Sequence, residues 1–384
     1  MNKATRICGG LVGLSLVLSV GPALGAAAKP AAIPMLASAA SQGFFFAGGH
    51  YMGDPGKEVM DGAMYVEVFR PKKVTRRYPL VFFHGAAQTA LNWLGTPDGR
   101  KGWAEFFLEQ GYVVYLVDQP ARGRSAYHPA IDGAMAAFPA PVIQKLFTDP
   151  EELGTWPRAK THSQWPGTGP NKGKAGDPVF DAFYATQVEF LASNVTTQKL
   201  VQDAGAALLD RIGPAILVTH SQAGAFGWLL ADARPKLVKG ILAVEPLGPP
   251  FQDAVLGDGK ARAWGPTDIP ITYDPPIKDP SELSVEQQAT PDAPDLSACW
   301  MQKAPVHKLK NLAGIPILII SGESSYHAVY DHCTAKFLTQ AGATVDYQRL
   351  ENHGIHGNGH MMMLEKNNID IASYLAGWAE KHLK

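Results

Sequence analysis

The sequence predicts an α/β fold in which a mostly parallel β-sheet is covered by helices on both faces. Continuous apolar segments rich in β-branched residues recur along the chain, as is typical of strands buried on both faces of a parallel sheet. Segments with the apolar spacing of helices separate them, and this alternation favours parallel crossovers. The 384 residues are 46% hydrophobic and 18% charged, which is typical of a globular protein.

The predicted elements follow one another in this alternation. Two early strands are expected at residues 43–51 and 63–71. Buried strands are predicted at residues 78–85, 112–119, 215–221, 238–245, 315–323 and 344–350. Helices are predicted at residues 103–110, 180–192, 198–211, 330–341 and 361–383, with another between Ser221 and Arg234. No internal repeat is found.

The N-terminal segment, residues 1–28, has the pattern of a signal peptide. Lys3 and Arg6 precede the apolar run Leu11–Val20, and small residues follow at 23–26. This run is too short to span a bilayer comfortably, so export to the periplasm or the medium is favoured over a stable membrane anchor. The formal net charge of -1 gives no reason to expect nucleic acid as a partner.

The remainder of the chain, residues 29–384, is interpreted as a single domain with two lid-like insertions. The regular alternation stops at about residues 125–196 and again at about 246–312, where Pro and Gly are frequent. Both segments follow strands, so they are expected to lie over one rim of the sheet. An exported chain favours disulfides, and Cys299 and Cys333 are predicted to form one, with two separate buried thiols as the alternative.

A candidate nucleophile, Ser221, ends the apolar run that begins at Ala215. A strand that ends in a serine before a small-residue helix is the setting of a nucleophile elbow, although Thr219 and Ala223 replace the usual glycines. The alternative is a serine that only caps a helix. The oxyanion hole is expected to use the backbone N–H of Gln222 and of Ala86.

Residues that follow later strands supply a candidate acid and base. Sites in open α/β sheets form at the carboxyl ends of the strands, and the order Ser, acid, His matches a hydrolase triad. His360 is expected to be the general base because it directly precedes the terminal helix. Glu245, which ends an apolar strand and therefore needs a buried partner, is favoured as the acid over Glu323 and Asp331.

The other histidines and one basic turn have alternative interpretations. His353 and His356 are expected at the substrate rim or in loop packing, and His220 in a structural position. A metal site built from the histidine cluster is disfavoured because the intervening glycines prevent a helix from presenting the imidazoles on one face. We therefore expect no metal and no cofactor. The turn at residues 122–125 could suggest phosphate, but an internally bonded structural turn is favoured.

Six motifs distributed along the chain are considered together: Phe83-His84-Gly85, Gly95-Thr96-Pro97-Asp98-Gly99-Arg100, Val117-Asp118-Gln119-Pro120, Arg122-Gly123-Arg124-Ser125, His220-Ser221-Gln222 and Gly357-Asn358-Gly359-His360-Met361-Met362. With these motifs, the chain from about Gly43 to the C-terminus resembles the bacterial esterase 713-like group of secreted α/β-hydrolases. The resemblance implies an α/β-hydrolase fold and a Ser/Glu/His triad whose acid follows the strand after the nucleophile. It therefore implies Ser221, Glu245 and His360, in agreement with the choice made from the residues themselves.

The function predicted from these observations is that of a secreted serine esterase. Ser221 would attack the ester carbonyl, and a small-molecule ester would be the partner. An apolar substrate pocket is expected from the side chains of Asn92, Trp93, Trp156, Phe183 and Tyr184. A lactonase or an amidase with the same triad is the alternative, and a non-catalytic binding protein of the same fold is a weaker one. A homodimer is left open.

Overall fold

An eight-stranded sheet forms the centre of the protein in the computed structural model, which describes residue 33 and residues 35–383. The predicted signal peptide at residues 1–28 lies outside the described residues. The strands are β1 (Ala39–Met52), β2 (Val59–Pro71), β3 (Leu80–Phe83), β4 (Val114–Asp118), β5 (Ala215–Ser221), β6 (Val238–Pro246), β7 (Pro316–Ser321) and β8 (Thr344–Arg349). Their order is β1-β2-β4-β3-β5-β6-β7-β8. β1 and β2 are antiparallel to their neighbours, and β3 to β8 are parallel.

Both faces of the sheet are buried, as the continuous apolar strands predicted. Leu80 and Phe82 of β3 belong to one hydrophobic cluster, and Val81 and Phe83 belong to the cluster on the other face. The helices that pack with the sheet include α1 (Trp103–Glu109), α2 (Asn194–Ile212), α3 (Gly224–Ala233), α4 (Asp331–Gln340) and α5 (Asn368–His382). The predicted α/β class with a mostly parallel, helix-covered sheet is confirmed.

Two predicted helices are shorter in the structure. The terminal helix begins at Asn368 instead of residue 361, because the carbonyls of residues 364–366 accept hydrogen bonds from the Arg100 guanidinium and are not part of a helix ladder. The helix predicted at residues 180–192 covers only Pro178–Tyr184, and Phe190–Leu191 instead pairs with the two-residue strand Met135–Ala136.

The irregular stretches consist of short elements. Residues 125–196 include the helices Pro129–Asp132, Ala140–Ile143, Pro150–Leu153 and Pro178–Tyr184, the π-helical turn Gln144–Thr148 and the 3-10 turn Ala159–Thr161. Residues 246–312 include the two-stranded ribbon of Val285–Gln287 with Trp300–Gln302, and the 3-10 turns Pro280–Glu282 and Lys310–Leu312. The predicted disulfide between Cys299 and Cys333 is confirmed, and it joins the second stretch to α4.

None of the helices within the described residues combines the length and the apolar character needed to cross a membrane.

Candidate active site

Ser221 occupies a tight turn between β5 and α3. Its φ is 56°, in the left-handed region that non-glycine residues rarely adopt, and strained residues of this kind cluster at functional sites. Neighbouring glycines make room for the turn. A Cβ on Gly224 would lie 2.3 Å from the Pro246 Cβ, and one on Gly85 would lie 2.9 Å from the Ser221 Cβ. The strand, turn and helix therefore match the geometry of a nucleophile elbow.

Glu245 and His360 form a buried pair beside this turn. The Glu245 carboxylate, at the end of β6, accepts hydrogen bonds from His360 Nδ1 at 2.5 Å, from the backbone N–H of Gly322 at 2.7 Å and from Ser325 Oγ at 2.6 Å. Complete burial raises the pKa of Glu245, whereas the nearby His327 lowers it. Because Nδ1 donates to this carboxylate, Nε2 of His360 is left as the acceptor, which is the tautomer that a general base requires.

Aromatic rings enclose the His360 imidazole. The ring centroid of His327 lies 4.6 Å away in a stacked arrangement, that of Phe147 lies 5.1 Å away and that of Tyr326 lies 5.0 Å away. Burial lowers the pKa of His360 well below 6.5, and the neighbouring His220 and His327 add to this effect. His360 Nε2 is buried and has no hydrogen-bond partner among the described residues. The imidazole is therefore neutral and its free nitrogen can accept a proton.

A cavity of about 230 Å³ brings the remaining predicted groups together. Ser221, His360, Ala86 and Gln222 all line it. Within the part of the chain that the structure describes, the backbone N–H groups of Ala86 and Gln222 have no protein acceptor. Two unpaired donors beside a nucleophile are what a tetrahedral oxyanion needs. The other lining side chains are mostly apolar, namely Phe138, Leu146, Phe147, Phe190, Leu247, Leu256, Tyr326 and Met361.

The other acid candidates contact different groups. Glu323 accepts hydrogen bonds from the backbone N–H of Gly357 at 2.9 Å and from His356 at 3.2 Å. Asp331, the first residue of α4, contacts His327 Nδ1 at 2.9 Å and accepts a hydrogen bond from Ser321 Oγ at 2.7 Å. Neither carboxylate hydrogen-bonds to His360.

The remaining histidines of the cluster lie apart from one another. His353 lies near the surface against Gln348 and Tyr374, and His356 is exposed beside Glu323. His220 donates its Nε2 hydrogen to the carbonyl of His360 at 3.0 Å, which fixes the backbone that carries the base. A shared metal site for His353, His356 and His360 has no support in this arrangement.

The five residues predicted to form the substrate pocket lie outside the cavity of Ser221. Asn92 and Phe183 line a separate cavity of about 280 Å³. Trp93 is fully buried against Phe82 and Trp103, Trp156 donates to the carbonyl of Ser324, and Tyr184 stacks on Phe180. Six of the 16 residues that line this cavity lie at 138–190 and 247–256, inside the two stretches whose irregular sequence shows no periodicity that could orient a side chain.

A buried ionic cluster holds the loop that carries His360. His162 contacts Glu151 through Nδ1 at 2.6 Å and Glu365 through Nε2 at 2.8 Å. Glu365 also accepts hydrogen bonds from Asn358 Nδ2 at 2.7 Å and from the backbone N–H of Gly359 at 2.9 Å. Although burial lowers it, the hydrogen bonds to both carboxylates raise the pKa of His162 to about 9. Sequence reasoning missed this cluster.

Comparison with known proteins places this geometry in a family. Residues 80–372 match the model of the alpha/beta hydrolase family. The chain is 47% identical over 339 residues to a protein named "Probable secreted lipase phiG" from Fungal sp. (strain ATCC 74256), covering 88% of this chain and 89% of the relative. A solved structure described as a novel bacterial esterase superposes with a TM-score of 0.59 at 22% identity, over 90% of this chain and 97% of that chain, and shows the same fold. The chain belongs to the alpha/beta hydrolase family.

Proposed function

We propose that the protein is an exported serine hydrolase that cleaves carboxylic esters through an acyl-enzyme on Ser221. The observation that carries the proposal is the pairing of His360 with Glu245 at 2.5 Å, with the free Nε2 of His360 at the cavity that Ser221 lines. The relative that is 47% identical is named a probable secreted lipase, which supports both ester cleavage and export. The chain's motifs further support a place in the esterase 713-like group.

The proposed reaction follows from the proton positions. His360 Nε2 takes the proton of the Ser221 hydroxyl as its oxygen attacks the ester carbonyl. Glu245 holds the imidazole through Nδ1 and stabilises the imidazolium that forms. The N–H groups of Ala86 and Gln222 donate to the oxyanion. His360 then protonates the leaving alcohol, and a water molecule, activated by the same imidazole, releases the acid and restores Ser221.

The lining of the cavity indicates the class of ester. Its 16 lining residues include no Asp, Glu, Lys or Arg, and its volume of about 230 Å³ is small. An anionic or cationic group would lose its hydration there without a partner. We therefore expect neutral esters with short or compact acyl groups to be better substrates than long-chain or charged ones.

A matched pair of serine variants tests the proposal. Wild-type protein should hydrolyse a short-chain p-nitrophenyl ester, and Ser221→Ala should lose activity by on the order of 10⁴-fold or more, as expected when a nucleophile is removed. Ser373→Ala, on the exposed side of α5, should keep wild-type activity. A fluorophosphonate should label Ser221, and chelators should have no effect. Labelling of another residue, or full activity of Ser221→Ala, would refute the proposal.

A further inference from the structure

The peptide unit that joins Gly85 to Ala86 has an unusual environment. Its carbonyl oxygen contacts His84 Nδ1 at 2.9 Å and Arg122 Nη1 at 3.3 Å, and it accepts the backbone N–H of Gln88 at 3.4 Å. His84 Nε2 accepts from the backbone N–H of Gln119, so the ring proton lies on Nδ1 and points at the Gly85 oxygen. Burial lowers the pKa of His84 to about 3, which keeps the ring neutral. Three donors therefore converge on the carbonyl of the peptide whose N–H belongs to Ala86, a residue that lines the cavity.

The Arg122 side chain is a buried cation that contacts two backbone carbonyls, one side-chain amide and the ring of Phe190, whose centroid lies 5.6 Å from Cζ. The residue is 2% exposed, and its Nη atoms lie 3.3 Å from the Gly85 carbonyl, 3.5 Å from the Gln88 carbonyl and 3.5 Å from Gln222 Oε1. Among the described residues, Arg122 has no ion pair with a carboxylate, and its Nε has no hydrogen-bond partner. A buried charge of this kind is costly to the fold.

The nearest acid is already occupied. Asp118 accepts hydrogen bonds from the backbone N–H of Ala90 and from the backbone N–H and Nε of Arg124. Arg124 is the exposed basic residue of this turn, with 40% of its side chain accessible. The internally bonded turn agrees with the expectation for residues 122–125. Arg122 points inward instead, where no solvent anion such as phosphate reaches it.

Arg122 contacts both sides of the candidate oxyanion hole. The Gly85 carbonyl and the Ala86 N–H belong to one peptide unit, so a cation and a donor at the oxygen polarise the unit and make the N–H a stronger donor. The Gln222 side chain, which Arg122 also contacts, donates to Asn194 Oδ1 at 3.0 Å. The backbone of Gln222 carries the second N–H donor of the candidate oxyanion hole. The guanidinium therefore connects the residues that hold the two donors.

We propose that Arg122 is a positioning residue that holds and polarises the oxyanion hole of this enzyme, acting through the Gly85–Ala86 peptide and the Gln222 side chain. This inference rests on the proposed esterase function. The positive charge near the site of the developing oxyanion, in a buried and apolar environment, stabilises the transition state more than the neutral ester ground state. The effect is on kcat, since the substrate carbonyl carries little charge before attack.

Arg122→Met is the test, with Arg124→Met as its matched control. The first variant removes the buried charge and keeps an unbranched apolar stem, whereas the second removes a cation from the same turn without altering the contacts to Gly85 or Gln222. For a short p-nitrophenyl ester, Arg122→Met should lower kcat by about 10- to 100-fold, less than the loss of a direct donor. KM should change by less than about twofold. Arg124→Met should keep wild-type kcat even if its melting temperature falls.

Two further readouts separate positioning from a merely structural role. A boronic acid forms an anionic tetrahedral adduct with an active-site serine, so phenylboronic acid should bind Arg122→Met more weakly by the same factor as kcat falls. Fluorophosphonate titration gives the fraction of folded sites, so that kcat is expressed per labelled Ser221. Arg122→Lys, which keeps the charge but loses the fork of donors, should recover part of the loss, and it serves as the second variant if Arg122→Met does not fold.

The outcomes are distinguishable. If wild-type protein is labelled at Ser221 and is active, but Arg122→Met has wild-type kcat per labelled site and wild-type boronate affinity, the role of Arg122 is refuted while the esterase proposal stands. If wild-type protein neither hydrolyses esters nor is labelled at Ser221, the esterase proposal fails, and the inference fails with it.

Discussion

Two of the histidine–carboxylate sites that the structure describes differ in the charge of the imidazole. His360 contacts Glu245 at 2.5 Å, and His162 contacts Glu151 and Glu365 at 2.6 and 2.8 Å. The residue types and distances are alike, and both imidazoles are buried. Nevertheless, the pKa of His360 lies well below 6.5, whereas that of His162 is raised to about 9.

The difference comes from the number of acceptors around each ring. Both nitrogens of His162 face carboxylates, so the ring gains from carrying both protons. His360 has one carboxylate, which it shares with the N–H of Gly322 and the hydroxyl of Ser325, and its second nitrogen faces a cavity. A second carboxylate around the ring therefore favours the protonated imidazole over the neutral one. The first site suits proton transfer, and the second holds residues 358–360 in place.

The largest effect is expected from Glu245→Gln, which removes the only carboxylate that contacts His360 in the described part of the chain. The amide cannot stabilise an imidazolium and favours the wrong tautomer, so kcat should fall by on the order of 10³- to 10⁴-fold. Steady-state kinetics with a p-nitrophenyl ester measure the fall in kcat. Glu323→Gln is the matched control, because Glu323 contacts Gly357 and His356 instead. An equal loss in both variants would contradict the assignment of Glu245 as the acid.

His162→Gln should instead reduce stability. A rise in the histidine pKa from 6.5 to about 9 corresponds to roughly 3 kcal/mol of folding free energy. Breaking the pair also leaves the buried Glu365 carboxylate without its ionic partner. Denaturant unfolding at pH 6 measures the loss, and His356→Gln, at an exposed histidine of the neighbouring loop, is the control. Wild-type stability of His162→Gln would show that His162 is not an ion-paired cation.

The pH dependence of stability sharpens the same contrast. The pKa of His162 is raised, so its contribution is complete below 6.5 and is lost as the pH rises through about 9. The pKa of Glu151, although burial raises it, is lowered to about 2 by its contacts with His162 and Lys172, so its contribution is present above 4.5 and is lost as the pH falls towards 2. Melting temperatures should decline from pH 6.5 to 9 in wild-type protein. In His162→Gln this decline should be smaller, and an identical decline would argue against the assignment.

Asp331→Asn should have the smallest effect. Asp331 contacts His327, which stacks on His360 without a hydrogen bond to it. Because Asp331 reaches His360 only through the stacked His327 ring, its replacement should lower kcat by about tenfold or less. Steady-state kinetics of Asp331→Asn and Glu245→Gln, measured side by side, provide the comparison. A loss as large as that of Glu245→Gln would make Asp331 the acid on which His360 depends.

Much of the framework is determined by local sequence. The apolar runs at residues 80–83 and 215–221 predict the central strands, since burial on both faces requires continuous apolar residues. Glu245 is chosen because it ends such a strand, and His360 because it precedes the last helix. The structure brings these two residues into contact. Short-range patterns of this kind predict the succession of strands along the chain and the residues at their ends.

Contacts between distant segments were decided only by the tertiary structure. His162 and Glu365 are 203 residues apart, and Arg122 and Gln222 are 100 residues apart. Part of the lining of the cavity comes from irregular stretches, where neither the 2-residue nor the 3.6-residue period assigns a side chain to a face. For this reason Trp93 and Trp156 could not be distinguished from pocket residues in the sequence. The charge of each buried imidazole also depends on how many carboxylates meet it in space, which only the folded chain determines.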